Sequence, residues 1–189
     1  VLLSHRRTPR RSDLVWLSWS LVLGVLAQIV IGGVVVLTGL NPYANMAHFL
    51  VSLVLVANAF VLYRRSGDQP ATYFRVGPER IVVAIRLVVV SCAVALVTGT
   101  VVTATGPHAG DEKAVRFGFA LTSVARVHSV SVIITIALIV FLAIRAKQLN
   151  GDTSTRDAIQ ALMIAAVFQG AVGYAQYFNG VPVALVAVH

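Results

Sequence analysis

The chain has 189 residues, of which 58% are hydrophobic, with a mean hydropathy of +0.85 and a formal net charge of +8. Ordinary soluble domains contain roughly 45–50% apolar residues, so this composition excludes a soluble fold and leaves no polar surface on which the positive charge could bind nucleic acid. The single cysteine, Cys92, lies inside an apolar run, so this chain cannot build a disulfide or a cysteine-ligated metal site.

Five apolar runs are long enough to cross a membrane, and a sixth begins near the end of the sequence. A spanning helix needs about 20 mostly apolar residues. Gly39 favours an early end of the first helix, whose run is longer than a span requires. The fold class is therefore predicted to be an all-α, polytopic membrane helix bundle. Its helices are expected over 14–40, 44–64, 80–104, 121–146, 157–179 and 182–189.

Basic residues indicate the orientation of this bundle, because lysine and arginine accumulate in cytoplasmic loops. All but three of the 15 basic residues precede the first helix or lie in or beside the second and fourth connections. These connections are therefore expected in the cytoplasm, and the other connections outside. The cytoplasmic set is Arg6, Arg7, Arg10, Arg11, Arg64, Arg65, Arg75, Arg80, Arg86, Arg145, Lys147 and Arg156.

Two segments of the chain match in spacing, Gln28-Ile-Val-Ile-Gly32 and Gln169-Gly-Ala-Val-Gly173. Each is followed by a histidine, and His48 follows Gln28 at the same interval as His189 follows Gln169. Each interval crosses an outer turn that contains a proline. This pattern is typical of duplicated membrane proteins.

The repeat predicts two tandem four-helix units, of which this chain is a fragment. Residues 1–65 would hold the last two helices of the first unit, and 66–79 would form a cytoplasmic linker. Residues 80–189 would hold the second unit, truncated in its last helix.

Three histidines lie at similar depths in the predicted helices. His48 lies roughly 6 Å below the outer boundary, and His128 and His189 lie roughly 10 Å below it. Ionisable groups within a membrane are costly and usually mark a site, although a lone histidine is more often structural. Zinc usually collects acidic or thiolate companions, whereas haem needs one or two imidazoles and an apolar slot. The three histidines are therefore predicted to bind haem iron.

Other polar residues keep two interpretations. Arg126 could anchor its helix at the interface or contact a haem propionate. The loop around His108 and Asp111 could be a plain connector or a lid over the outward haem edge. Gln28 and Gln169 could bond across helix interfaces or contact a cofactor.

These residues together resemble the haem A synthase family. The resemblance is carried by the two glutamine-led helices and by four further stretches. It covers nearly the whole chain and implies an eight-helix, two-unit fold. The four stretches are Leu37-Thr-Gly-Leu-Asn-Pro42, Ala47-His48-Phe49, Thr103-Ala-Thr-Gly-Pro-His-Ala-Gly-Asp111 and Arg126-Val-His128-Ser129.

The resemblance implies an oxidoreductase that converts a methyl group of haem O to the formyl group of haem A, for the biogenesis of terminal oxidases. His128 and His189 would be the axial ligands of a haem b cofactor, with Arg126 at a propionate. His48 would bind the substrate haem O. The family's other substrate-side histidine and its catalytic acidic residue would lie upstream of Val1, as would the cysteine pair of some members. The fragment alone is therefore expected to be inactive.

Expected partners are haem O and membrane lipid and, by the resemblance only, haem O synthase and an electron donor. The expected location is a bacterial plasma membrane, with the haem sites toward its outer face. One alternative is a di-haem b-type electron-transfer protein that modifies no haem. Another is a transporter built on duplicated bundles, with histidines in a proton path.

Overall fold

The described part of the chain folds into α-helices. A computed structural model describes residues 1–8, 11–67, 79–108, 111, 113–148 and 153–189, and this part of the chain contains no β-strand. The all-α prediction is confirmed. The helices are α1 (Leu2–Arg6), α2 (Ser12–Leu37), α3 (Pro42–Gly67), α4 (Glu79–Thr105), α5 (Leu121–Gln148), α6 (Thr153–Phe178) and α7 (Val183–Val188).

Five of these helices, α2 to α6, are long and apolar enough to cross a membrane. At 1.5 Å per residue, a helix of 26 residues such as α2 extends about 39 Å, more than the roughly 30 Å of a hydrocarbon core. Large apolar side chains such as Leu37 and Ile164 are widely exposed on these helices, as expected for faces that contact lipid. The chain is therefore an integral membrane protein.

The observed helix ends lie close to the predicted ones. The early end of the first long helix that Gly39 favoured is confirmed: the helix stops at Leu37, because Gly39 and Leu40 both adopt the left-handed backbone conformation, with φ of 62° and 61°. Left-handed residues close a helix by turning the chain back toward its last carbonyls. The short helix α1 is a difference, since no sequence pattern predicted it.

The chain divides into two compact units. Unit 1 comprises Val1–Arg75 with Lys113–Val115, and unit 2 comprises Val76–Glu112 with Arg116–His189. Most of the predicted linker over 66–79, including Arg75, lies outside the described residues, as does Arg10.

In unit 1, α2 packs along α3, and polar side chains bridge the two helices. The Asn58 side-chain amide donates to the Ser20 hydroxyl at 2.6 Å. Where α2 begins and α3 ends, Asp13 forms ion pairs with Arg11 at 2.8 Å and with Arg65 at 3.7 Å. These contacts fix the register of α2 against α3.

In unit 2, α5 lies between α4 and α6 and packs against both. Ile139 is fully buried, and it packs with apolar residues of all three helices. Ser91 of α4 and Thr135 of α5 share a hydrogen bond of 2.6 Å. This core packs one end of the three helices together, and His128 and His189 lie toward the other end. The core consists of Ile81, Ala84, Val88, Ile139, Leu142, Ala146 and Ile159.

Candidate functional site: glycine-seated histidines

Each of the three candidate histidines lies against a glycine of the preceding helix. His48 of α3 faces Gly32 of α2, and His128 of α5 faces a glycine of α4, Gly99. His189, directly after α7, faces Gly173 of α6. We call each such glycine, together with the helix surface around it, a seat for its histidine.

The three seats share one geometry. A methyl group built on Gly32, Gly99 or Gly173 would meet the Cε1 atom of its histidine first, at 3.2, 3.1 and 2.9 Å respectively. Nδ1 comes next in every case, at 3.5 to 3.7 Å. Each ring therefore presents its Cε1 edge to the glycine. A larger residue at the glycine position would push the ring away.

Hydrogen bonds orient the ring of His128. The Thr98 hydroxyl lies 3.1 Å from Nδ1 of His128 and 3.0 Å from the carbonyls of Val94 and Ala95. A threonine within a helix commonly donates its hydroxyl proton to a carbonyl three or four residues earlier. The Thr98 oxygen then accepts from Nδ1–H of the ring, which leaves the lone pair of Nε2 available to a metal.

His128 and His189 come together in unit 2. Their ring centroids are 6.3 Å apart, and the ring planes are nearly perpendicular at 83°. Two imidazoles that bind one metal from opposite sides, with bonds of about 2.0 Å and nitrogens about 1.1 Å from each ring centre, have centroids about 6 Å apart. The observed separation fits that arrangement, and rotation about the metal–nitrogen bond leaves the interplanar angle unrestricted.

The donor set of this pair suits haem. The described residues contain no group of three or more His, Cys, Asp or Glu side chains that could hold a metal ion, and an axial haem pair requires only two.

His48 occupies the corresponding position in unit 1. Gln28 donates its side-chain amide to the His48 carbonyl at 2.9 Å and to the Ser52 hydroxyl at 2.5 Å. Nδ1 of His48 and Oε1 of Gln28 are buried without a hydrogen-bond partner in the described structure. Unsatisfied buried polar atoms are costly, so these two atoms mark a place where a ligand group could bind.

The two repeat copies also share their turns. Leu40 N–H donates to the Val35 carbonyl at 2.8 Å, and Val181 N–H donates to the Gln176 carbonyl at the same distance. Leu40 and Val181 occupy equivalent positions in the sequence repeat, as do the two glycines that precede them, and all four residues have positive φ. The repeat proposed from sequence therefore extends to the main-chain conformation.

The loop between α4 and α5 is tied to the turn before α7. His108 donates through Nε2 to the Val181 carbonyl at 2.8 Å. Arg116 donates to the main-chain carbonyls of Gly106 and Asp111. The loop therefore contacts the turn that leads to His189, and its role as a lid stays a prediction; 109, 110 and 112 lie outside the described residues.

Arg126 lies on a different face of α5 from His128. Its side chain lines a shallow groove with Ser123, Val127 and Val130. Two helical positions separate it from His128, or about 200° around the axis. Only the length of the guanidinium side chain could bring it to a propionate, so that contact stays a prediction.

Sequence reasoning missed Gly99 and Thr98. The first and third seats share one spacing, because Gly32 precedes His48 by the same interval as Gly173 precedes His189. The second seat spans the long loop between α4 and α5, so the interval from its glycine to its histidine is much longer. A glycine within an apolar helix, one to two turns from its C-terminal end, is the signal that could have identified it.

Comparison with known proteins adds no assignment: no family, curated protein or solved structure matches the chain.

Proposed function

We propose that this protein is a haem-dependent membrane oxidoreductase of the haem A synthase type. The observation that carries the proposal is the pair His128 and His189, whose ring centroids lie 6.3 Å apart. A low-spin haem requires two strong axial ligands, for which two imidazoles within an apolar bundle are well suited, and unit 2 offers both. The reaction itself rests on the sequence resemblance, in particular on the outer loop and the glutamine-led helices.

In this proposal, unit 2 holds haem b. His128 and His189 bind the iron, and Thr98 keeps Nε2 of His128 available by occupying Nδ1. Arg126 remains the predicted propionate contact. When bound, haem b supplies electron transfer, while the apolar helices exclude water from the iron and so tune its potential.

Unit 1 takes the substrate role. His48 binds haem O, and Gln28 holds the backbone of the helix from which His48 projects. The protein positions the porphyrin so that one methyl group reaches the oxidation site, and such positioning is a large part of catalysis. The product is haem A, which terminal oxidases require; converting the methyl group of haem O to a formyl group removes four electrons and adds one oxygen atom, so the reaction also needs an external oxidant such as dioxygen.

We further propose that the protein lies in a bacterial plasma membrane, with its basic connections in the cytoplasm. The positive charges before α2 and after α3 and α5 support this orientation. It directs His128 and the loop carrying His108 toward the outer face. Haem O synthase and an electron donor are the partners that the reaction would require.

Deletion of the gene tests the reaction. Pigments extracted from the deleted strain are expected to contain haem O and to lack haem A, and reintroduction of the wild-type gene is expected to restore haem A. Unchanged haem A in the deleted strain would refute the synthase proposal. The purified gene product is expected to show a Soret band with low-spin haem b, and a colourless protein would refute haem binding altogether.

A di-haem electron-transfer protein is the second candidate. It is favoured by one observation, the equivalence of the seats of His48 and His189, because equal seats could hold equal haems. This candidate predicts two b-type haems in the purified protein and unchanged haem A after gene deletion. The same pigment extraction therefore separates the two functions.

A further inference from the structure

The close approach between glycine and imidazole is specific to the three seats. A methyl group built on Gly33, beside Gly32, would meet nothing within 4 Å. One built on Gly170, one turn before Gly173, would meet only the tip of Ile136, at 4.0 Å. Gly24 of α2 also approaches a side chain closely, that of Leu55. The three seats are therefore distinguished by the group that the glycine meets, a histidine ring, and not by close approach alone.

Glycine is an unfavourable residue within a helix, where only proline is worse. A glycine within a helix often has a packing reason, and at the seats the packed group is in every case a histidine ring. At Gly173 a methyl group would lie 2.9 Å from Cε1, nearer than real contacts allow. The ring would have to move, and its two nitrogens would move with it.

Axial ligation tolerates little movement. A working site must hold its groups within about 0.5 Å of the productive geometry, and the pair His128 and His189 has only one separation at which both rings reach the same iron. Displacement of either ring by a few tenths of an ångström would lengthen a metal–nitrogen bond or tilt it. The seat therefore sets the distance, while Thr98 sets the rotation of His128 through Nδ1.

We propose that Gly99, Gly173 and Thr98 are positioning residues for the axial haem ligands of unit 2, and that Gly32 has the same role for His48. This inference rests on the proposed haem function. It names residues that position the haem ligands without binding the iron themselves. Each seat fixes the distance between the imidazole and the helix that carries the glycine. Thr98 fixes which nitrogen of His128 faces the iron.

The test compares Gly99→Ala and Gly173→Ala with the control Gly170→Ala in the intact gene product. Optical and electron paramagnetic resonance spectra are recorded per amount of membrane-inserted protein. Both seat variants are expected to bind haem b about 10- to 100-fold more weakly, as loss of partners around a ligand typically does. Gly170→Ala is expected to keep the wild-type spectrum.

Thr98→Val adds no bulk and removes the acceptor of Nδ1–H. It is expected to retain haem b and to raise its midpoint potential, because the ligand becomes less basic without that hydrogen bond. A merely structural threonine would leave the potential unchanged. If one seat variant fails to insert, the other seat variant and Thr98→Val still test the proposal.

The adjacent pair Gly32 and Gly33 gives a matched test in unit 1. Gly32→Ala is expected to reduce haem A formation while the haem b spectrum stays as in the wild type, and Gly33→Ala is expected to change neither. Wild-type spectra in Gly99→Ala and Gly173→Ala, or an unchanged potential in Thr98→Val, would overturn the positioning roles. Absence of haem b from the wild-type protein would instead refute the proposed function, and the inference with it.

Discussion

The hairpins α2–α3 and α6–α7 are two copies of one structure with different surroundings. Both carry a glutamine, a seat glycine, a left-handed turn and a histidine at matching positions. In unit 2 the ring of His189 meets the ring of His128, whereas in unit 1 Nδ1 of His48 is buried without a partner in the described structure. The hairpin therefore determines how a histidine is presented, and its neighbours determine what the histidine can bind.

The largest effect is expected where the copies differ. His128→Ala in the intact gene product should abolish the low-spin haem b spectrum, because the iron loses an axial nitrogen and His189 loses its partner. Optical difference spectra of purified protein measure this loss. An unchanged spectrum would remove His128 from the site.

A histidine change in the α2–α3 hairpin should act on turnover. His48→Ala is expected to stop or strongly reduce haem A formation and to leave the haem b bands in place, because His48 belongs to unit 1. Haem extraction and spectra of the same membranes give both measurements. Loss of haem b in this variant would mean that the roles of the two units are assigned wrongly.

The shared turns should respond equally to the same change. Gly39→Ala and Gly180→Ala place a side chain at φ of 62° and 74°, and each is expected to lower the free energy of unfolding by about 1–2 kcal/mol. Denaturant titration of detergent-solubilised protein measures the loss. Gly33→Ala, in a helical conformation, is the control and should be neutral or stabilising. A loss at only one turn would contradict the equivalence of the copies.

The smallest effect is expected at the glutamines. Gln28→Leu removes the hydrogen bonds to His48 and Ser52 and should cost about 0.6 kcal/mol, a typical value for a polar contact between membrane helices. Gln169→Leu should cost less, because no side-chain hydrogen bond of Gln169 is seen among the described residues, whereas Gln28 donates two. Equal losses in the same titration would show that the two glutamines are equivalent after all.

Hydropathy alone was sufficient to predict the long helices. Each of α2 to α6 begins and ends within a few residues of its apolar run, because the run must match the thickness of the membrane. Helix α1 could not be predicted, since its five residues carry no periodic pattern. It is held by contacts distant in sequence: His5 accepts a hydrogen bond from the Trp19 indole at 3.1 Å, and Arg7 donates to the Ser66 carbonyl.

The candidate ligands of the site were predictable from the sequence, whereas the residues that position them were not. Depth and repeat spacing single out the three histidines, and the family resemblance pairs His128 with His189, whose ring centroids lie 6.3 Å apart. Their binding of haem stays a prediction. The seat at Gly99 and the bond from Thr98 depend on how α4 packs against α5. Because a long loop joins these two helices, residue spacing along the sequence does not predict which of their residues meet.

Each seat is built from two helices that follow one another in the chain, as Gly173 and His189 show. During synthesis the glycine-bearing helix leaves the ribosome first, and the histidine-bearing helix can pair with it directly. The polar imidazole then has a neighbour while it enters the bilayer, where an isolated ionisable group would be costly. Nascent hairpins would thus prepare their ligands before any porphyrin is delivered.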